Sequence, residues 1–118
     1  MAIASIMDRY KYTRFVYGCL FEANQTGQTC FDPVFFHYPE DTMTYNDVEN
    51  TFIVGNAILV APVVDFVGND SMYQAYIPAG NWTDLDDFST LEVVPVLNPD
   101  HMKQNLTAKD TTVRKFLK

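Results

Sequence analysis

The two halves of this sequence carry different patterns, and the change between them is the strongest constraint on the fold. Residues 2–24 contain no proline and repeat apolar side chains at spacings of mostly three and four, which predicts one long amphipathic helix. Beyond Pro62, short β-prone runs alternate with turn-rich pieces, which predicts an antiparallel meander. One domain of 118 residues seldom combines two architectures in this way, so we expect a segment that crosses two domains of a larger protein.

The first half also predicts where its helix ends and its first strand begins. Gln25–Gly27 is a stop signal, because glycine can take the positive φ that helix ends favour. Thr29–Tyr38 is β-prone with little polar alternation, which predicts a strand covered on both faces. Pro33 cannot donate a ladder hydrogen bond, so we place it at the start of this strand or at an irregularity.

The middle of the chain predicts one helical turn and one further buried strand. Asn46 or Asp47 could cap a short helical turn that runs to Phe52. Ile58–Val64 is an apolar run that predicts the second buried strand. The later β-prone runs are Tyr73–Ile77 and Leu91–Val96.

The balance of charge is acidic, with 15 Asp and Glu against 8 Lys and Arg and a formal net charge of −7. Acidic surfaces repel phosphate backbones and anionic lipids, so we expect neither nucleic acid nor a membrane surface as a partner. No stretch approaches the roughly 20 apolar residues of a membrane span. The apolar start of the chain meets Asp8 and Arg9 too early for a signal peptide.

Cysteine and asparagine patterns bear on the cellular compartment. Cys19 and Cys30 are too few for a disulfide framework and lack the spacing of a metal or redox centre, so we expect buried free thiols. Four Asn-x-Ser/Thr sequons nevertheless indicate a parent protein of the secretory pathway, lysosomal or extracellular. These possible N-glycosylation sites are Asn24, Asn69, Asn81 and Asn105. A parent whose N-terminus lies far upstream of Met1 would reconcile them with the missing signal peptide.

Three sequence blocks follow one another between Asp8 and Asp84, and their order is more specific than any block alone. The first block contains Arg9 and Tyr10, Tyr17, Leu20–Ala23, and Thr26 with Gly27. The second block is Phe31–Pro39 with Asp41. The third block contains Phe52–Gly55, Ile58–Val63, and Tyr76–Trp82 with Asp84. In this order and spacing the blocks resemble glycoside hydrolase family 31, the α-glucosidase-like enzymes.

The resemblance implies a place for each block. The first looks like the last long helix of a (β/α)8 barrel, the second like the final barrel strand, and the third like the crossing into an antiparallel β-sandwich. The isolated chain would then be α+β, with residues 1–62 belonging to the barrel and residues 63–118 opening the sandwich. Three positions depart from the family, since Asp32, Arg14 and Thr51 stand where Arg, Pro and Gln are usual. The change to Asp32 reverses a charge, so a salt bridge that the family makes there cannot form in the same way.

The implied activity is the retaining hydrolysis of O-glycosidic bonds in α-glucosides, such as maltose-like or starch-derived substrates, without a metal or an organic cofactor. This chemistry needs two carboxyl groups about 5 Å apart. In the resembling family both come from earlier barrel strands, and their motifs are absent here. We therefore assign no catalytic residue and expect the chain alone to be inactive. Its expected packing partner is the remainder of the barrel, and its open sheet edges predict poor solubility.

Acidic residues surround the tryptophan. Asp84, Asp86 and Asp87 lie close to Trp82 in the sequence, and a sugar could stack on the indole while its hydroxyls bond to carboxylate. The alternative is a surface turn whose tryptophan packs under a sheet. We favour the turn, because in the resembling family this motif supports the sandwich, and we keep Trp82 as a substrate-side candidate beside it.

Asp32 is the second substrate-side candidate. At the mouth of a barrel strand its carboxylate would face either the substrate cavity or a neighbouring cation, and we favour the cation because buried charges are normally paired. His37 with Glu40 and Asp41 could form a general base or a metal site. A single histidine with carboxylates in a turn is more often a polar loop, so we assign no metal ligands.

Two other classes of function stay open. A small protein that kept only the packing part of an ancestral hydrolase would be a structural or interaction module, and it predicts cooperative unfolding of the isolated chain. The second half could instead be a carbohydrate-binding β-module that uses Trp82. That function predicts a sugar-dependent change in tryptophan fluorescence.

Overall fold

The computed structural model describes residues 2–45, 50–62, 72–93, 103–107 and 114–118. Within these residues the chain begins with two helices, and eight short strands in two sheets follow. All strand pairs between the described residues are antiparallel. The chain is therefore a mixed helix and antiparallel-sheet segment. None of its described helices has both the length and the apolar character of a membrane span.

The predicted long N-terminal helix is confirmed with one interruption. Helix α1 spans Ala2–Lys11 and helix α2 spans Thr13–Thr26, and Tyr12 between them has a φ of −100° and a ψ of 2°. Gly27 ends α2 with a φ of 75°, and its backbone N–H donates to the Ala23 carbonyl at 2.8 Å. A helix end with this left-handed residue is what the glycine predicts.

The strand predicted for Thr29–Tyr38 is wrong in its second half. Strand β1 comprises only Phe31–Pro33, and a four-residue helix, α3, follows at Val34–His37. Pro33 lacks the N–H that a ladder needs, whereas the start of a helix leaves that N–H without a partner in any case. A short apolar run fits a strand or a helix equally well, so its pattern could not separate the two.

A hairpin joins strand β2, Phe52–Val54, to strand β3, Ile58–Ala61. Gly55 opens the turn with a φ of 59°, a conformation that glycine adopts without steric cost. Its backbone N–H donates to the Cys30 carbonyl at 2.7 Å, which holds the turn against the start of β1. Strand β3 matches most of the predicted Ile58–Val64, whose last two residues lie outside the described residues.

A 3₁₀ turn at Thr42–Tyr45 precedes this hairpin. The predicted helical turn that begins at Asn46 or Asp47 lies outside the described residues. Its predicted end at Phe52 is corrected, because Phe52 pairs with Pro33 and Val60 in the sheet.

The described residues of the second half form five strands: β4 at Met72–Tyr76, β5 at Gly80–Asp84, β6 at Thr90–Val93, β7 at Lys103–Thr107 and β8 at Arg114–Leu117. Strand β4 confirms the predicted run Tyr73–Ile77 in outline, and β6 confirms the first half of Leu91–Val96, whose last three residues lie outside the described residues. One sheet has the order β1-β2-β3-β8-β5-β6, and β4 pairs with β7 in a second sheet. Because β8 lies between β3 and β5, the order is more complex than the predicted meander.

The larger sheet continues across the predicted division at residue 62. Strands β1 to β3 precede that residue and β5, β6 and β8 follow it, yet all six share one sheet. Strand β1 also runs antiparallel to β2, with Phe31 opposite Val54, whereas the strands of a (β/α)8 barrel are parallel. Strand β1 therefore belongs to the antiparallel sheet, which corrects its predicted place as the final barrel strand.

Alternate side chains of this sheet enter two separate cores, because successive residues of a strand point to opposite faces. The larger core contains Val34, Ile53, Leu59, Ala61, Ala75, Tyr76, Ile77, Trp82, Val93 and Phe116. The smaller core contains Cys30, Val54 and Ile58, against which Tyr12, Val16, Cys19 and Ala23 pack. Ile53 and Val54 thus face different cores. The helices cover one face of the sheet, and the segment that carries β4 covers the other.

A disulfide joins Cys19 of α2 to Cys30, so the expectation of free thiols is wrong. Their Cα atoms lie 5.5 Å apart, a usual distance for a disulfide. The reversal at Gly27 folds the segment after α2 back along the helix, and both cysteines reach the smaller core. Counting and spacing in the sequence do not reveal this three-dimensional approach.

Candidate functional site

A cavity of about 260 Å³ lies beside β1 and the 3₁₀ turn. Its walls are mostly apolar, and they include the rings of Phe31, Phe35, Tyr45 and Phe52. Of the described residues that line it, Asp32 is the one that carries a carboxylate. The described lining thus combines aromatic walls with one acidic group.

Asp32 is held by the helix that follows its strand. Its Oδ2 lies 3.0 Å from Nε2 of His37, and its side chain is only 9% exposed. Its other oxygen, Oδ1, is buried and has no hydrogen-bond partner among the described residues. The carboxylate therefore lies at the cavity and also contacts a side chain that is cationic when protonated. Both alternatives drawn from the sequence, cavity and cation, stay predictions.

The described residues that line this cavity do not include the carboxylate pair that retaining hydrolysis requires. The nearest acidic residue along the chain with defined contacts is Asp41, and its oxygens have structural partners. Its Oδ1 accepts the Met43 N–H at 3.1 Å, and its Oδ2 accepts a hydrogen bond from the Tyr76 hydroxyl. Among the described residues, no group of three or more His, Cys, Asp or Glu side chains could hold a metal ion. The described lining residues offer one buried acid, which could position a group, and not a nucleophile together with a separate proton donor.

Trp82 lies in the larger core and not at a surface. It is 2% exposed, and its Nε1 donates to the Pro78 carbonyl at 2.8 Å. Along β5 the residues at 82 and 84 point inward, which leaves no open indole face on which a sugar could stack. The geometry does not fit the substrate-side role considered for Trp82, because the role would require the core to open.

The three acidic residues after Trp82 organise the turn between β5 and β6. Asp84 is 1% exposed, and its Oδ1 accepts the Asp86 N–H at 2.8 Å. Oδ1 of Asp87 accepts the N–H of Ser89 at 2.9 Å and its hydroxyl at 2.6 Å. Side chains that bond the backbone two residues on are typical of Asx turns. These contacts give the acidic cluster a structural role.

A buried lysine is the charged group that sequence reasoning missed. Lys115 is 8% exposed, and its Nζ forms an ion pair with Asp8 and lies 3.9 Å from Oδ1 of Asp86. The hydrogen bond from Lys115 lowers the pKa of Asp8, whereas burial opposes that shift. Nζ also lies 5.4 Å from the centroid of the Tyr12 ring, whose pKa burial raises. Asp8 and Lys115 are 107 residues apart, so no local pattern signals their contact.

Helices α1 and α2 also expose apolar side chains that do not pack on the sheet, and these form the surface here called the apolar helix face. It consists of Ile3, Ile6, Met7, Tyr10, Tyr17, Leu20 and Phe21, which are between 49% and 78% exposed. The side of α2 that packs on the sheet carries Val16, Cys19 and Ala23 instead. A helix that is apolar on two sides is typical of a helix between two layers. In the described residues only one of those layers is present.

The sequons differ in their placement. Asn24 lies on α2 and Asn81 on β5, and both side chains are exposed. Asn105 lies on β7, and Asn69 lies outside the described residues.

A match to a protein family defines the class of this chain. Residues 27–115 match the family model described as the glycosyl hydrolase family 31 C-terminal domain. The chain belongs to glycosyl hydrolase family 31, and the resemblance seen in the sequence is confirmed. The matched region begins at Gly27, the residue that ends α2.

The relatives that resemble this chain in sequence or in fold are much longer proteins. The chain is 38% identical over 81 residues to a probable α-glucosidase of Oryza sativa subsp. japonica and to an α-glucosidase of Hordeum vulgare. Each alignment covers 69% of this chain but 9% of the relative. The fold is similar to that of a family 31 α-xylosidase from a soil metagenome, solved with xylose, with a TM-score of 0.74 at 22% identity. That match covers 93% of this chain and 15% of the α-xylosidase chain.

Proposed function

We propose that this chain acts as the C-terminal part of a longer family 31 α-glucosidase, whose preceding barrel supplies both catalytic carboxylates. The observation that carries the proposal is the family match over residues 27–115 together with α-glucosidase relatives of which the chain spans about a tenth. The parent would hydrolyse α-glucosides with retention, using an acid and a nucleophile about 5 Å apart. Because the described lining of the cavity offers only the carboxylate of Asp32, the chain alone would not turn over substrate.

The proposed division between barrel and sheet domain lies near residue 27. Two observations support this position over residue 62: the family model begins at 27, and the larger sheet pairs strands from both sides of 62. In this scheme α1 and α2 are the last helical segment of a (β/α)8 barrel. The two sheets that share the larger core are the first part of the following β-sandwich.

The apolar helix face is the surface through which the remainder of the barrel would pack. Helices of such a barrel lie outside its strands and bury one side against them. Each large apolar side chain contributes about 1.5–3 kcal/mol when it is fully buried. The face carries seven such residues, none of which has this burial in the described residues. Exposure of this surface would also make the isolated chain prone to association.

A chimera tests the proposal. The segment of the Hordeum vulgare α-glucosidase that aligns with this chain is replaced by the chain, and hydrolysis of 4-nitrophenyl α-glucoside is measured. We expect activity from the chimera, and none from the isolated chain or from the barley enzyme cut before the segment. Turnover by the isolated chain would contradict the proposal, because it would place a carboxylate pair within this sequence. A chimera that is folded but inactive would also contradict it.

The exposed helix face also favours one alternative, a structural or interaction module derived from such a hydrolase. That alternative requires the chain to unfold cooperatively by itself and to leave the chimera inactive. Circular dichroism during urea unfolding of the isolated chain separates the two proposals. A carbohydrate-binding module would additionally show a sugar-dependent change in Trp82 fluorescence, for which Trp82 would have to leave the core.

A further inference from the structure

The disulfide and one sequon both indicate the same cellular compartment. Cys19 and Cys30 are bonded, and thiols in the cytosol are normally kept reduced. Asparagine-linked glycans are attached in the secretory pathway. Each feature is independent of the cavity and of the catalytic proposal, and each can be judged from its own geometry.

The disulfide links the two parts of the chain that the family match separates. Cys19 lies on α2, before residue 27, and Cys30 lies immediately before β1. Cys30 is 5% exposed and belongs to the smaller core, where α2 meets the sheet. The bond therefore fixes the helix pair on the sheet at the point where the chain turns from one to the other.

Asn81 meets the geometric requirements of a glycan site. On β5 its exposed side chain alternates with the buried Trp82 and Asp84, so Asn81 and Thr83 lie on the same outward face. The asparagine and the hydroxyl of the sequon are thus side by side. Asn81 is opposite Glu92 on β6, the last strand of the sheet. A glycan at this position would extend into solvent without displacing a core residue.

Asn24 is placed differently on its helix. It follows Leu20 and Phe21 by four and three residues, so it lies beside them on the apolar helix face. A glycan there would cover the surface that the barrel is proposed to contact. This contrast between Asn24 and Asn81 rests on the proposed function, whereas the assignment of Asn81 does not.

We propose that this chain matures in the secretory pathway, where Cys19 and Cys30 are oxidised and Asn81 receives an N-linked glycan. In the first step the two thiols pass two electrons and two protons to the disulfide of a thiol–disulfide oxidoreductase, which leaves as a dithiol. In the second, Nδ2 of Asn81 bonds to the anomeric carbon of an oligosaccharide carried on a lipid diphosphate. The lipid diphosphate leaves, and one amide proton passes to a base of the transferase.

The test expresses the full chain in eukaryotic cells with and without a cleavable secretory leader. Whole extract and medium are alkylated and analysed by peptide mapping, with and without a glycan-removing amidase. With the leader, we expect a linked Cys19–Cys30 peptide and an amidase-sensitive glycan at Asn81, which the variant Asn81→Gln loses. Without the leader, we expect both cysteines to be alkylated and Asn81 to be bare.

Two results would overturn the inference. One is an unoccupied Asn81 or alkylated cysteines in the leader-bearing chain, and the other is a fully formed disulfide in the leaderless chain. Because extract and medium are both mapped, a chain that is retained inside the cell still gives an answer. An inactive chimera that carries a glycan at Asn81 would contradict only the proposed function and leave the assignment of Asn81 intact. A glycan at Asn24 in an active chimera would contradict only the proposed contact between the barrel and the apolar helix face.

Discussion

Phe88 is the residue at which backbone and side chain conflict most clearly. Its φ is 60°, a left-handed conformation in which bulky residues are rare, and its ring is 75% exposed. The ring therefore offsets little of the backbone cost. Asparagine tolerates this conformation, so we expect Phe88→Asn to raise the free energy of unfolding by about 1 kcal/mol. Urea unfolding measures the change, with Phe88→Ala as the control. Equal effects of the two substitutions would show that the backbone conformation is not the cause.

The ion pair of Asp8 predicts a dependence of stability on pH. The hydrogen bond from Lys115 is the main cause that holds the pKa of Asp8 below its ordinary value of 3.8. The unfolded chain lacks this partner, so the pair stabilises the folded state at pH values above 3.8. The contribution disappears as the pH falls through the lowered pKa of the folded state. We expect Asp8→Asn to lower the free energy of unfolding at neutral pH and to have little effect below the lowered pKa.

The two lysines that contact Asp8 provide a matched comparison. Lys115 is 10% exposed at its side chain, whereas Lys11, which lies 3.2 Å from Oδ1 of Asp8, is 71% exposed. Solvent screens exposed pairs, so Lys115→Met should lower stability more than Lys11→Met. Urea unfolding at neutral pH in low and high salt measures both. Equal losses would mean that burial of Lys115 does not strengthen its pair with Asp8.

Substitutions of Gly27 and Gly55 distinguish the cost of backbone strain from the cost of side-chain crowding. Gly27 has a φ of 75° and no atom within 4 Å of an added Cβ. Gly55 has a φ of 59°, and an added Cβ would lie 3.0 Å from the ring of Phe15. We expect Gly27→Ala to cost about 1 kcal/mol through its backbone alone. Gly55→Ala should cost more, because the ring on α2 must also move.

Urea unfolding of both glycine variants under one set of conditions measures this difference. A third variant, Gly55→Ala combined with Phe15→Leu, relieves the crowding and should recover part of the loss. If the third variant were no more stable than Gly55→Ala, the contact with Phe15 would not be the source of the extra cost.

The elements that could be predicted are those whose signal is local. A period of three to four residues and a terminal glycine are sufficient for α1 and α2, since helix contacts and caps form within a few residues. The division of Thr29–Tyr38 into β1 and α3 could not be predicted, because a short apolar run fits both forms. The insertion of β8 between β3 and β5 depends on pairing with residues more than 50 positions away in β3 and more than 30 positions away in β5, which no local pattern encodes.

The candidate site shows the same limit. Asp32 departs from the family pattern in the sequence, and the structure brings it to the cavity. Its contact with His37 depends on α3, which was not predicted, and the contact between Asp8 and Lys115 depends on the sheet order. The indole of Trp82 has the chemistry of a sugar-stacking group, but alternation along β5 decides its burial. Residue type suggested which groups matter, and topology determined what they contact.

At the scale of the whole molecule, the apolar helix face should behave differently in the isolated chain, where it is exposed, and in a longer protein that covers it. A charge on this face should reduce association of the isolated chain, because association would then remove the charge from water. We expect Phe21→Glu to shift the isolated chain toward monomer in sedimentation velocity. Gln28→Glu adds the same charge outside the helices and is the matched control, with no expected shift.

In the chimera the same substitution should have the opposite consequence. If the barrel covers this face, Phe21→Glu buries a charge without a partner, which costs several kcal/mol and should abolish α-glucosidase activity or thermal stability. Gln28→Glu should leave both unchanged. A chimera that tolerates Phe21→Glu would show that the barrel does not cover this face. The surface would then serve another partner, as the interaction module requires, even though the chain belongs to the hydrolase family.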